Sequence, residues 1–162
     1  MEHKTIEELI SEIESAFAGV KLGNGVSWRE ADVIDDYGSK EQRRLARVQD
    51  EKEDWTKIPL ELIGDLRYQA VLAFLDIAGL KYYLPICMVY YLKKADVSDS
   101  TITDGIIFTL TNEIRIKELV GHLNNEQLAC VKAFLLLYLD SGEYYGNREN
   151  TKRLIHDYWS GK

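Results

Sequence analysis

Three candidate helix starts in the first 42 residues set a serine or threonine three places before a glutamate or glutamine: Thr5 with Glu8, Ser27 with Glu30, Ser39 with Gln42. Each pair is a capping box, in which the hydroxyl takes up one free backbone N–H at a helix start and the longer side chain reaches back for another. The boxes predict helices opening near 6, 28 and 40. Behind the first, Ile6, Leu9, Ile10, Ile13 and Phe17 recur at helical spacing until Gly19. The second leads WREADVIDDY and the third SKEQRRLARVQDEKEDW. Between the first two, VKLGNGV offers two glycines for positive φ. It lacks the Lys-Ser/Thr that would follow in a phosphate loop, so it reads as a turn.

Further along, Pro59 suits a first helical turn, and Leu62, Leu66, Ala70, Ala73 and Ile77 then share a face, which predicts a long central helix from Pro59 to Gly79. Pro85 permits a fresh start, with Ile86, Val89, Tyr90 and Leu92 carrying an aromatic-rich helix to Lys93 and Lys94, whose charge suits a helix C-terminus. Asp96 to Leu123 is ambiguous. TITDGIIFTLT holds β-branched residues and is compatible with a short strand or hairpin near 101–117, while EIRIKELVGHL fits helix or extended chain. Asn124 or Asn125 caps EQLACVKAFLLLYLD, with Leu128, Val131, Leu135 and Leu139 facing inward, up to Ser141-Gly142. After the polar loop EYYGNREN, a last helix begins near Thr151 and packs through Leu154, Ile155, Tyr158 and Trp159. The expectation is a mainly α, compact single-domain fold over 1–162, of about six to seven helices.

A length of 162 residues, 46% hydrophobic and 29% charged, is enough for one core without metal or disulfide staples. Cys87 and Cys130 sit in apolar helical patterns and read as packed thiols. A formal charge of −7 with scattered Lys and Arg disfavours nucleic acid and favours a cationic partner, if it is more than a solubility device. No apolar run approaches the ~18 residues of a membrane span and the opening MEHKTIEEL is charged, so no membrane partner and a cytoplasmic location are expected.

Clustered functional groups occur only in the acidic block. At 100° per residue, Arg29, Asp32 and Asp36 share one arc of their helix, with Val33, Ile34 and Tyr37 toward another. Glu30 points to the apolar side, where its role in the capping box returns the carboxylate to the backbone. Arg43, Arg47, Asp50 and Asp54 share a polar arc of the next helix, Arg47 within reach of Asp50 and Glu51. Were Asp32, Asp36, Asp50 and Asp54 to converge, they would form an oxygen-rich site for Mg²⁺, Mn²⁺ or Ca²⁺. No other cofactor is expected. His3, His122 and His156 are dispersed and compose no catalytic set. Trp28, Tyr37, Trp55, Tyr82, Tyr83, Tyr90 and Tyr91 are core by default, with Asp35, Asp54 and Asp76 as acceptors for their polar atoms. If some rings stay exposed beside carboxylates, they make a protein-binding patch.

The phrases AFAGVKLGNGVSWREADVIDDYGS, DWTKIP and FLDIAGLKYYLP, with a weaker echo in LNNEQLACVKAFL, resemble a family of small bacterial proteins of about this length that carries no assigned activity. Trp28 and Leu80 depart from the pattern, standing where an aliphatic and an aromatic residue are expected. The resemblance implies kinship without a catalytic role. It marks Arg29, Glu30, Asp32, Asp35, Asp36, Tyr37, Asp54 and Asp76 as candidate binding residues, beside Trp28 and Trp55 from the aromatic set. The functional expectation is a small acidic interaction module, neutralising a basic partner such as a toxin. The alternative is a metal-assisted hydrolase or nucleotide-handling enzyme built on the acidic cluster.

Overall fold

A computed structural model describes residues 4–93, 101–141 and 146–161. Lys94, residues 96–100 of the ambiguous stretch, Gly142, the EYY of the polar loop and His3 lie outside them. Among the described residues there are ten α-helices, three single-turn 3-10 segments and no strand, so the mainly α reading holds and the expected six to seven helices are too few. The chain divides into two compact units, one from Gly19 to Thr109 and one pairing the N-terminal segment with the chain from Leu110 onward.

In the second of these, α1 (Ile6–Ala16) packs on α9 (Asn125–Asp140). Thr5 and Glu8 exchange both arms of their capping box, and Asn124 does the same with Gln127, a fourth box with asparagine as cap. Buried Gln127 then donates through Nε2 to Ala16 O at 3.1 Å, so the side chain that starts one helix also satisfies a carbonyl at the end of another. Helices α8 (Glu113–Leu119) and α10 (Arg148–Tyr158) complete the unit. Trp159 is fully buried and its indole N–H donates to Leu110 O at 3.3 Å. The last helix starts three residues before the expected Thr151, because Asn147 accepts from Asn150 N–H and caps it.

The other unit contains α2 (Trp28–Asp35), α3 (Lys40–Val48), α4 (Leu60–Ile63), α5 (Val71–Phe74), α6 (Ile77–Lys93) and most of α7 (Thr101–Thr111). Two expectations are corrected along it. The long helix from Pro59 to Gly79 is instead α4, a 3-10 turn at Leu66–Tyr68 and α5, followed by extended chain at Leu75. Local chemistry breaks it: Gly64 ends α4, and Asp65 bends back to accept from Arg67 N–H, an alternative to helical bonding.

The central helix is α6, and it runs through Pro85. Proline there has no N–H for the Lys81 carbonyl, a defect worth about 3 kcal/mol in an exposed helix. All residues of α6 except Ala78, Lys81 and Lys93 are buried, and that packing outweighs the defect. Its start is set by Asp76, whose Oδ1 accepts from Gly79 N–H at 2.8 Å as an N-cap and from Val26 N–H at 2.9 Å. One carboxylate oxygen therefore starts the central helix and pins the glycine turn ahead of α2. The approach is tight enough that a Cβ on Gly79 would lie 2.5 Å from Val26 O.

The strand or hairpin considered near 101–117 is also overturned, since that stretch is α7 and α8. Ile102, Ile106 and Leu110 are buried at four-residue spacing, and Thr109 Oγ1 donates to Gly105 O one turn back. Tertiary burial at helical period overrides the β propensity of these residues.

Candidate functional site

The acidic block folds into a two-helix unit, α2 against α3, whose interior is ionic. Glu30, on the buried side of α2, accepts from Ser27 N–H at 3.1 Å in the capping-box arrangement. Its partner Ser27 Oγ is buried and makes no hydrogen bond of ordinary geometry. Two arginines of α3 close on the same carboxylate, Arg43 at 3.0 Å and Arg47 at 3.3 Å. Arg47 also donates to the carbonyls of Gly23 and Gly25, so its guanidinium fastens the glycine turn to α3. This replaces the ladder expected along α3, in which Arg47 would reach Asp50 and Glu51. The helix ends at Val48, and the residues beyond it turn away.

Asp50 turns into the protein. Its side chain is 1% exposed, Oδ1 accepting from Arg29 Nη1 at 2.7 Å and Oδ2 from Arg29 N–H at 2.8 Å. Burial is the largest single influence on Arg29 and opposes its charge, but the bond to Asp50, the Asp50 charge and Tyr68 together outweigh it and hold the guanidinium above its ordinary pKa. Asp54 caps the 3-10 turn Trp55–Lys57, accepting from the Thr56 hydroxyl and N–H, which holds its carboxyl below the usual range. Asp32, Asp36, Asp50 and Asp54 thus do not converge: the last two are engaged in separate local bonds. Among the described residues no group of three or more His, Cys, Asp or Glu is placed to hold a metal ion. Asp76, a further candidate, is the N-cap of α6.

The side chains of Asp32, Asp35 and Asp36 make no hydrogen bond or ion pair among the described residues, Arg67 acting on Asp32 through charge alone, and α2 has no basic residue in its last turn. Partial burial, then repulsion from Asp36 and Asp35, raises the Asp32 pKa. Beside them stands Tyr37, 97% exposed with φ of 57°. The helix ends there in a Schellman motif, Tyr37 N–H donating to Ile34 O at 3.1 Å and Gly38 N–H to Val33 O at 2.8 Å. That motif puts its left-handed residue first and ordinarily uses glycine for it. Here tyrosine takes the left-handed place and Gly38 the next, where a Cβ would meet Val33 Cγ1 at 2.3 Å.

The other aromatic candidates are core. Trp28, Trp55, Tyr82, Tyr83, Tyr90 and Tyr91 are buried. Trp28 and Tyr83 rings lie 5.1 Å apart, and Tyr82 meets Tyr83 edge-on at 5.0 Å. Tyr83 accepts the Trp28 backbone N–H at 2.9 Å, while the Trp28 indole N–H has no partner among the described residues. Beside Tyr83 opens a cavity of about 160 Å³ with an apolar wall of Ile58, Pro59 and Leu62. Arg29, Gln49, Asp50 and Glu51 complete it. Arg29 and Asp50 were singled out by spacing. Gln49, Glu51, Ile58, Pro59 and Leu62 belong to no site in the sequence reading, because the cavity gathers residues from four separated segments and no local pattern marks that.

The chain belongs to a family of unknown function, DUF6714, which matches residues 5–162 and so covers the three phrases on which the resemblance rests. Neither a curated protein nor a solved structure matches it. No helix among the described residues is long and apolar enough to cross a membrane.

Proposed function

We propose that the protein is an interaction module that docks a basic segment of a partner protein, such as a toxin it neutralises, at the C-terminal end of α2. The observation that carries this reading is Tyr37, a ring held 97% in solvent on a backbone conformation that tyrosine adopts at a cost. Left-handed φ costs a non-glycine residue about 1–2 kcal/mol, and an exposed ring returns almost none of it through burial. Departures of this kind concentrate where a protein contacts something else.

The surrounding charge fits the same occupant. A helix C-terminus carries about half a negative charge, so the acidic Asp35 and Asp36 there are unfavourable to the isolated helix and favourable to an arriving Lys or Arg. Repulsion within the trio falls when such a cation binds, and the Tyr37 face adds a cation–π contact worth about 0.5–1 kcal/mol at an exposed site. The net charge of −7 would speed encounter.

The test is titration of the labelled protein with an arginine-rich peptide and with an acidic peptide of equal length, followed by NMR. The basic peptide should shift Tyr37, Asp32, Asp35 and Asp36, bind more weakly as salt rises, and lose affinity in Tyr37→Ala and in Asp35→Asn/Asp36→Asn. Shifts centred on another face, or equal binding by these variants, would overturn the proposal.

A further inference from the structure

The cavity beside Tyr83 supports a second activity, independent of the docking reading. We infer that it is a binding site for a small, uncharged, planar molecule carrying a cyclic amide edge, O=C–N–H, of the size of a six-membered ring.

Size sets the first limit, since a cavity of about 160 Å³ is close to the ~150 Å³ that accepts benzene in an engineered apolar case. The polar lining rules out an apolar guest. Tyr83 is 1% exposed and its hydroxyl accepts the Trp28 N–H, yet its own proton has no acceptor among the described residues. Burial, then the nearby Asp50 charge, pushes the phenol pKa well above its ordinary value, so it remains a donor through the physiological range. A buried donor left without a partner costs about 1–3 kcal/mol, which a ligand carbonyl or an ordered water would recover.

The remaining groups add acceptors beside that donor. Glu51 Oε1 holds the N–H groups of Glu53 and Asp54 at 2.8 and 3.0 Å, which lowers its pKa and keeps it ionised as an acceptor. The Gln49 amide likewise makes no bond among the described residues and offers both a donor and an acceptor. Charge selects most strongly against anions, which would meet Asp50 and Glu51, while the guanidinium of Arg29 beside them offsets part of their attraction for a cation. A neutral edge that accepts at one atom and donates at the next satisfies both kinds of group, and the Ile58–Pro59–Leu62 wall suits the ring behind it.

Calorimetry and NMR with δ-valerolactam, uracil, benzoate and benzylamine test this. The two cyclic amides should bind saturably and shift Tyr83 and Leu62, with the ions at least about tenfold weaker, and uridine in a further arm separates a free base from a nucleoside. Tyr83→Phe should weaken uracil about tenfold, the loss of one hydrogen bond. Because that variant also leaves the Trp28 N–H unpaired, Gln49→Ala serves as a second, exposed change that should weaken binding without altering the thermal midpoint. Absence of saturable amide binding, equal binding of an ion, or wild-type affinity in both variants would overturn the assignment.

Discussion

Replacing Tyr37 by glycine should make this protein more stable. Three contributions set the difference in stability. Relief of the left-handed strain at φ of 57° returns about 1–2 kcal/mol. Glycine's greater freedom in the unfolded chain takes back about 0.5–1 kcal/mol. The lost ring contributes almost nothing, because it is 97% exposed. The net is a gain of about 0.5–1 kcal/mol, or about 1–4 °C in midpoint for a chain of this size. Tyr37→Ala separates backbone from side chain, since alanine keeps the strain and removes the ring. It should fall within about 0.5 kcal/mol of wild type. Urea denaturation of the three proteins measures both differences. If the alanine variant is as stable as the glycine variant, the backbone there is unstrained and the argument for Tyr37 as a contact residue loses its energetic basis.

Other perturbations follow from the same geometry. Gly79→Ala would bring a Cβ to 2.5 Å from the Val26 carbonyl, a backbone atom that cannot rotate aside, and should cost about 2–3 kcal/mol in chemical denaturation. Asp50→Ala removes the acceptor of both Arg29 bonds; with the Arg29 side chain 30% exposed, the loss should be about 1.5–3 kcal/mol, below that of a fully buried pair. Asp32 has a raised folded-state pKa, so its charged form is disfavoured by folding: the penalty is full above the folded pKa and vanishes below the unfolded value near ~3.9. Asp32→Asn should therefore be more stable than wild type at pH 7, with the difference closing as pH falls below about 4, and a constant difference across that range would contradict the assignment.

What the sequence revealed and what it hid divide along a physical line. Signals that act within one helical turn were legible: the boxes at Thr5, Ser27 and Ser39 mark three helix starts, and Glu30 shows how a charge on a buried face is tolerated. Signals that depend on distant partners were not. Pro85 reads as a start because its cost is local, whereas the burial that overrides it comes from the whole unit. The stretch 101–117 reads as ambiguous, with a strand or hairpin open to it, because its β propensity is local, whereas its helical burial is tertiary. The acidic block is the sharpest case. By charge and spacing Asp32, Asp36, Asp50 and Asp54 look alike, yet Asp50 is saturated by Arg29 and Asp54 by Thr56, while Asp32, Asp35 and Asp36 have no internal donor. A carboxylate already holding backbone and side-chain donors contributes to folding and has little left to offer a partner. One that holds none keeps its charge for whatever arrives. The useful division of an acidic cluster is thus by unspent hydrogen-bonding capacity rather than by charge, and on that measure the end of α2 stands apart from the segment after α3.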